Sequence, residues 1–117
     1  RAPIIAALAE LTGAEGILAR NDVSVRGREG LSRDVETLAG TVPETVEVLE
    51  HGVRYLAAPH TGQKTGAYLD QREARVLVGS VARGRALDLF SYHGSFALHL
   101  AARADQVPSC GRPRTRR

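Results

Sequence analysis

The order of apolar and polar residues at the start of the chain predicts a helix. Four apolar side chains recur at the spacing of one helical face, namely Ile4, Ile5, Leu8 and Leu11. Gly13 follows them, and glycine is typical of a helix end because it adopts left-handed backbone at low cost. The pattern therefore predicts a helix over about residues 3–12.

Alternating apolar positions in the next segments predict strands. In EGILARNDVSVRGREGL, the short apolar group Ile17-Leu18 and the alternating Val23 and Val25 favour strands over a helix. In TVEVLEHGVRYLAAP, valines alternate with charged residues before the pair His51-Gly52, and the alternation resumes after it. Glycine in that pair permits a tight turn. This segment predicts a β-hairpin that ends at its final proline.

The pattern after the hairpin predicts a helix, a strand, a turn and a second helix. Asp70 followed three residues later by Glu73 has the form of a capping box, which predicts a helix over about residues 71–82. Its apolar residues at helical spacing are Val76, Leu77 and Val81. RALDLF then predicts a short buried strand, SYHGS a turn and FALHLAAR a further helix. This order is typical of an α/β nucleotide-binding fold.

Length and composition limit the classes of protein to consider. The chain has 117 residues, 43% of them apolar, which suits one domain or a small domain plus part of another. It has no apolar run of the roughly 18 to 20 residues that a membrane span needs, so we expect a soluble, cytoplasmic protein without a membrane partner. It opens on Arg1 rather than methionine, so we expect it to begin inside a longer chain. A single cysteine, Cys110, excludes an internal disulfide and a cysteine-based zinc site.

The positive charge of the chain is concentrated at its end. Residues 106–117 hold four basic residues and no acid: Arg112, Arg114, Arg116 and Arg117. The whole chain has a formal charge of +3, so residues 1–105 carry −1. A nearly neutral body argues against a broad nucleic-acid surface, although a local basic patch remains compatible with it.

The motif LDLFSYHGSFALHL has the form of a cofactor-binding turn. It places Asp88 inside an apolar strand and Gly94 in a turn before a helix, whose first N–H groups would point toward a ligand. In the structural alternative, Asp88 only bonds neighbouring backbone and Gly94 is an ordinary turn glycine. The single glycine argues against a dinucleotide pyrophosphate, which favours a G-x-G-x-x-G turn.

The polar segment TGQKTGAYLDQREAR precedes this motif. It is not a phosphate-binding Walker loop, because Gln63 stands directly before Lys64 where that loop has glycine. One interpretation is a polar surface loop followed by a helix that Asp70 caps. The other is a ligand-binding loop.

Together the two motifs, GQKTGAYLDQREAR and ALDLFSYHGSFALHLAA, resemble the ribosomal RNA large-subunit methyltransferase family that makes 5-methylcytosine. Upstream, ARNDVSVRGREGL is similar to the R-x-D-V-S-V-R segment of that family, so the resemblance covers roughly residues 1–107. It implies an α/β fold: an α+β central domain in residues 1-60, the incomplete start of a Rossmann-like, S-adenosylmethionine-dependent domain in 61-107, and a non-family basic tail in 108-117. The resemblance also implies ribosomal RNA as the partner and leaves a homo-oligomer open.

The resemblance implies a set of cofactor-binding residues. They are Gln63, Lys64, Thr65, Asp70, Gln71, Arg72, Asp88, Phe90, Tyr92 and Gly94. The first three would surround the methionine end of S-adenosylmethionine, the next three would cap the helix and fix the loop, and the last four would form the cofactor turn. Asp88 would favour the cationic methionine moiety.

The chain departs from the family pattern at three positions. His93 replaces the usual threonine, Ser95 replaces a second glycine, and Ala67 replaces an aromatic residue. The other histidines lack metal-ligand spacing, so we predict no metal site and place them at the surface or in turns: His51, His60 and His99.

In this family a cysteine thiolate attacks the base and C5 of cytosine takes the methyl group. We assign no catalytic residue here, because Cys110 matches no family motif and the family cysteine is expected beyond this segment. After Val107, prolines and glycine predict that no central parallel strand forms, which suggests a truncated or frame-shifted product that is inactive alone. The alternatives are a non-catalytic RNA-binding module and, less favoured, a dinucleotide-dependent oxidoreductase.

Overall fold

A computed structural model describes residues 1–64 and 66–111, so predictions for Thr65, Pro113 and the four terminal arginines lie outside it. The elements in chain order are α1 Ala2–Thr12, β1 Gly16–Arg20, α2 Ser24–Arg28, β2 Val35–Gly40, β3 Val46–Glu50, β4 Val53–Ala57, a 3₁₀ helix Leu69–Gln71, α3 Arg72–Val81, β5 Asp88–Leu89, α4 Ser95–Ala101 and β6 Ser109–Cys110. The mixed content of helices and strands agrees with the predicted α/β class.

The described residues divide into two compact units. The first unit comprises Arg1–Val46 and Ala58–Gly66. The second comprises Glu47–Ala57 and the described residues from Ala67 onward. This division concerns compactness within the segment, so the domain boundaries predicted from the family resemblance stay a prediction.

In the first unit, the N-terminal helix is confirmed and one predicted strand is wrong. Helix α1 ends at Gly13, whose φ of 62° is left-handed and whose N–H donates to the Ala9 carbonyl. Strands β1 and β2 pair antiparallel, with Gly16 opposite Gly40 and a bulge after Ile17. Val25, predicted in a strand, lies in α2 instead. The alternation of two valines was too short a signal to distinguish one helical turn from a strand.

The predicted hairpin is confirmed and carries the small core of the second unit. Strands β3 and β4 pair across the two-residue turn His51-Gly52. The inward side of β4 contributes Tyr55 and Ala57, which pack with Ala67. Ala67 replaces an aromatic residue of the family pattern, and its small side chain is buried in this core.

Helix α3 forms where predicted, but neither its cap nor its buried face is the predicted one. Its N-cap residue is Gln71, which makes no side-chain capping hydrogen bond, and Asp70 lies in the preceding 3₁₀ helix, so the prediction of Asp70 as the cap is wrong. The buried residues are Arg75 and Gly79, while Leu77 and Val81 are exposed. A Cβ atom at Gly79 would lie 2.8 Å from the His99 carbonyl oxygen, so glycine is what permits α3 and α4 to pack this closely.

The segment after Val107 does form a parallel strand, which corrects the prediction. Strand β6 pairs with β5, with Asp88 opposite Ser109 and Leu89 opposite Cys110. The N–H groups of Asp88 and Ser91 donate to the carbonyls of Pro108 and Cys110. Pro108 is tolerated because it serves this ladder as an acceptor, and its missing N–H is not required.

The apolar residues around β5 are more exposed than predicted for a buried strand. Leu87 and Leu89 are 61% and 58% exposed, and only Asp88 is buried. A parallel strand is buried when further strands and helices cover it, and β5 pairs only with β6 among the residues that the structure describes.

Across residues 1–64 and 66–111, no helix has both the length and the apolar character needed to cross a membrane.

Candidate functional site

The turn between β5 and α4 has a strained backbone. Phe90, Tyr92 and Gly94 have φ values of 61°, 51° and 83°. Only glycine adopts this left-handed region at little cost, so the first two residues are held there by their surroundings. Backbone strain of this kind is concentrated at ligand-binding and active sites. We call residues 90–94 the β5–α4 turn.

Asp88 is the buried acid at the start of this turn. Its Oδ2 accepts a hydrogen bond from the backbone N–H of Ala97, in the first turn of α4, at 3.0 Å. This hydrogen bond to neighbouring backbone is the one expected if Asp88 has a structural role. It fixes the orientation of the carboxylate. Among the described residues no hydrogen bond to Oδ1 is recorded, so this oxygen can accept one from a ligand.

Aromatic rings support one side of the β5–α4 turn. The Tyr92 ring meets the Tyr68 ring edge to face, with 5.6 Å between centroids, and lies 4.7 Å from the His93 ring. The His93 ring in turn lies 5.4 Å from the Tyr55 ring. Phe90 differs from these four residues because it is 93% exposed.

His93 is an uncharged member of this aromatic group. Both of its ring nitrogens are buried, and neither has a hydrogen-bond partner among the described residues. Burial lowers the pKa of His93, and the nearby Arg75 guanidinium lowers it further. The ring therefore packs as a neutral aromatic group at neutral pH.

Beneath the aromatic group lies a buried ion pair that the sequence reasoning missed. Arg75 Nε donates to Glu50 Oε1 at 2.6 Å, and Arg75 Nη2 donates to Glu50 Oε2 at 2.7 Å. The Arg75 side chain is 0% exposed and the Glu50 side chain 4%. The third contact of the guanidinium is Nη1, which donates to the Tyr68 carbonyl at 2.9 Å.

Glu50 collects further polar contacts in this buried position. Tyr55 donates its hydroxyl hydrogen to Glu50 Oε2 at 3.2 Å. His99 Nε2 lies 3.0 Å from Glu50 Oε1, although off the line that a hydrogen bond requires. The hydrogen bonds from Arg75 are the main reason why the pKa of Glu50 falls to about 2, against the opposing effect of burial. His99 is therefore buried in α4, which corrects its predicted surface position.

The sequence does contain a signal for this buried charge. Side chains of a strand alternate between two faces, so Val46, Val48 and Glu50 share one face of β3. A carboxylate on an otherwise apolar face requires a cationic partner. Nothing local identifies that partner as Arg75, which lies 25 positions later.

In the first unit, an arginine and an aspartate hold part of the polar segment. Arg20 forms two hydrogen bonds with Asp22, at 3.1 and 3.0 Å. The same guanidinium donates to the backbone carbonyls of Pro59 at 2.5 Å and Gly62 at 2.9 Å. The start of the polar segment is therefore anchored within the first unit.

The remaining predicted loop residues occupy separate places. Gln63 and Lys64 belong to the first unit, and Lys64 has a left-handed φ of 51°. Gly66 has a φ of 95°, and a Cβ atom there would lie 2.8 Å from the Ala58 carbonyl carbon. Both observations show a tightly folded segment on either side of Thr65.

The second unit contains the next three predicted residues. The 3₁₀ helix holds Asp70 and Gln71, and α3 begins at Arg72. Arg72 is exposed and donates through Nε to His51 Nε2 at 3.3 Å. The predicted residues that the structure brings together within the second unit are therefore those of the β5–α4 turn with Asp88. The cofactor-binding role of all ten predicted residues stays a prediction.

The described residues contain no grouping of three or more His, Cys, Asp or Glu side chains suited to a metal ion. Cys110, on β6, is an exposed free thiol.

Comparison with curated proteins relates the chain to part of a larger enzyme. The chain is 40% identical over 111 residues to ribosomal RNA large subunit methyltransferase I of Pseudoalteromonas atlantica, covering 93% of this chain and 28% of the relative. It is 42% identical over 100 residues to the protein of the same name from Erwinia tasmaniensis, covering 84% and 25%. The chain thus spans about a quarter of the length of these relatives. No family model matches it.

Solved structures give the same relationship at the level of the fold. A candidate SAM-dependent methyltransferase from Streptococcus mutans superposes with a TM-score of 0.69 at 29% identity, covering 95% of this chain and 28% of that chain. A second structure, of a candidate methyltransferase complexed with SAH, gives a TM-score of 0.70 at 27% identity and the same coverage. These likenesses confirm the predicted α/β fold class. With the curated relatives, they support an rRNA methyltransferase family for this segment.

Proposed function

We propose that this chain is the cofactor-binding start of an S-adenosylmethionine-dependent RNA methyltransferase. The observation that carries the proposal is the buried Asp88 carboxylate at the head of a strained turn. In the whole protein, the reaction would transfer a methyl group to C5 of a cytosine in large-subunit ribosomal RNA. The RNA substrate rests on the names of the relatives, and the cytosine C5 target rests on the motif resemblance.

The residues of the β5–α4 turn fit the methionine end of this cofactor. A carboxylate favours a nearby cation, and Asp88 keeps Oδ1 for one while Ala97 holds Oδ2. The turn presents backbone rather than bulky side chains at Gly94, which allows close approach of a ligand. When bound, S-adenosylmethionine supplies an electrophilic methyl group on a positively charged sulfur. Gln63 and Lys64 belong to the first unit, and their predicted cofactor role is a separate proposal, on which this one does not depend.

Calorimetry with S-adenosylhomocysteine and with NAD tests the proposed cofactor class. We expect weak binding of S-adenosylhomocysteine, with a dissociation constant well above about 1 μM, because the proposed residues contact only one end of the ligand. NAD should not bind. Asp88→Ala should abolish the signal, whereas Asp105→Ala, which removes an exposed acid of the same unit, should leave it unchanged. Preferential binding of NAD, or equal binding by the Asp88 variant, would overturn the proposal.

A salt titration of RNA binding tests the alternative of a non-catalytic RNA-binding module. The four terminal arginines can contact phosphates without sequence preference, and four contacts give a slope of about −3 in log affinity against log salt for a single strand. A chain ending at Gly111 should lose most of this binding and its salt dependence. If it keeps both, the body itself binds RNA, and the most suitable residues are Arg26, Arg28 and Lys64.

A further inference from the structure

A closed series of contacts connects the buried ion pair with the β5–α4 turn. Its six members, in order around the series, are Glu50, Arg75, Tyr68, Tyr92, His93 and Tyr55, after which the series returns to Glu50. We call it the Glu50 ring. All six residues belong to the second unit.

One side of the Glu50 ring runs from Arg75 to the turn through Tyr68. The Arg75 guanidinium holds the Tyr68 backbone by its carbonyl, which also accepts the N–H of Gln71. The Tyr68 side chain then packs against the Tyr92 ring. A displacement of Arg75 would therefore move the ring against which Tyr92 rests.

The other side runs through Tyr55, which uses both ends of its side chain. The hydroxyl is bonded to Glu50, and the ring packs against His93. His93 has no polar contact of its own among the described residues, so its position depends on ring packing. The carboxylate of Glu50 thus fixes Tyr55, and Tyr55 fixes His93.

The turn needs such support because its conformation is not the intrinsic preference of its residues. Tyr92 has a φ of 51°, a conformation that persists only where surrounding contacts determine it. The Glu50 ring provides contacts to Tyr92 and to its neighbour His93 from two directions.

We infer that Glu50 and Arg75 are positioning residues that hold the β5–α4 turn in its ligand-binding conformation, acting through Tyr68 and Tyr55 on the rings of Tyr92 and His93. The ligand in this statement rests on the proposed function. The statement that the ion pair sets the conformation of the turn rests only on the contacts of the Glu50 ring.

Amide hydrogen exchange and NMR chemical shifts of the full chain test this inference in Glu50→Gln. The matched control is Glu47→Gln, which changes an exposed glutamate of the same strand that pairs with Arg54. We expect the hydrogen-bonded amides of Ser91 and Gly94 to lose protection selectively in Glu50→Gln, and the ring resonances of Tyr92 and His93 to shift. Amides of α3 should lose less, and the control should change neither.

A purely structural role gives a different result. If Glu50→Gln loosens α3 and the turn equally, or leaves the turn unchanged, the inference is overturned. If that variant fails to fold, Tyr55→Phe tests the inference instead, because it removes only the hydroxyl contact and keeps the ring. Tyr55→Phe should shift His93 and then Tyr92, and an unmoved turn in this variant contradicts the inference.

Titration of the same variants with S-adenosylhomocysteine separates this inference from the proposed function. Indirect effects on binding are typically 0.5–2 kcal/mol, so we expect Glu50→Gln to weaken binding about 2- to 30-fold and Glu47→Gln to have no effect. If the wild-type chain shows no response to the ligand while Glu50→Gln still loosens the turn selectively, the proposed function fails, and the statement that the ion pair sets the conformation of the turn stands. If a folded Glu50→Gln binds as well as the wild type, the positioning role fails and the proposed function stands.

Discussion

Each of the two units contains an arginine that a carboxylate holds through two hydrogen bonds and that also donates to backbone carbonyls. In the first unit, Asp22 holds Arg20, which donates to the carbonyls of Pro59, just before the polar segment, and of Gly62 within it. In the second, Glu50 holds Arg75, which donates to the Tyr68 carbonyl. The same guanidinium geometry thus fixes loop backbone in both units.

The two pairs differ in burial and in sequence separation. The side chains of Arg20 and Asp22 are 13% and 15% exposed and two residues apart, whereas those of Arg75 and Glu50 are 0% and 4% exposed and 25 residues apart. Breaking a buried pair leaves an uncompensated charge without water, while a partly exposed charge is rehydrated. The comparison therefore predicts unequal costs for similar substitutions.

The largest expected effect is that of removing one partner of the buried pair. Arg75→Ala should lower the free energy of unfolding by about 3–5 kcal/mol, because Glu50 would then remain buried without its counter-ion. Urea unfolding of the variant and the wild type measures the difference. A loss of less than about 1 kcal/mol would show that water reaches Glu50 and that the two pairs are equivalent.

Acid should remove much of the same stabilisation without a mutation. The pKa of Glu50 is about 2 in the folded chain and 4.5 in the reference state, so its stabilisation is complete above pH 4.5 and is lost as the pH falls toward 2. The shift corresponds to about 3 kcal/mol. The lowered pKa of His93 also makes acid destabilise the folded chain. Below pH 6.5 the unfolded state takes up a proton on His93 more readily than the folded state does.

Urea unfolding at several pH values between 7 and 2 measures this effect. In Glu50→Gln the part of the decline between pH 4.5 and 2 should be smaller than in the wild type. Equal declines in both proteins would assign the acid sensitivity to other carboxylates.

An intermediate effect is expected at the partly exposed pair. Asp22→Ala should cost about 1.5 kcal/mol, because Arg20 loses its acceptor but keeps the two backbone carbonyls. Hydrogen exchange should also report looser backbone at Gly62, whose N–H donates to the Ala58 carbonyl. A cost as large as that of Arg75→Ala would remove the distinction between the pairs.

The smallest effect is expected at the exposed pair of the hairpin. Arg54 and Glu47 are joined by a hydrogen bond of 2.7 Å, but both side chains are more than half exposed. Glu47→Ala should change the free energy of unfolding by less than about 1 kcal/mol, and salt should reduce even this difference. A larger, salt-independent loss would mean that short distance rather than burial sets the cost.

Local patterns in the sequence predicted α1, the hairpin, α3 and α4, but they predicted neither α2 nor β2. Gly13 ends α1, the pair His51-Gly52 turns the hairpin, and α3 and α4 begin within a residue or two of their predicted positions. These features depend on neighbouring residues, which the sequence displays directly.

Burial and long-range partners could not be predicted in the same way. Arg75 occupies the buried face of α3 because it pairs with Glu50, and this partner is not visible from helical spacing alone. Pro108 participates in β6 because only its carbonyl is needed, which depends on the direction of the partner strand. The candidate cofactor-binding residues came from the motif resemblance. Without it, the sequence around Asp88 was compatible with a cofactor-binding acid and with an acid that only bonds neighbouring backbone.

An amide-shift map during titration with S-adenosylhomocysteine tests the central claim most directly. If the β5–α4 turn binds the methionine end of the cofactor, the largest shifts will fall in residues 88–97, and NAD will not produce them. If the shifts are absent at millimolar ligand, or are largest in β1 and β2, the turn is not a cofactor site and the account is contradicted.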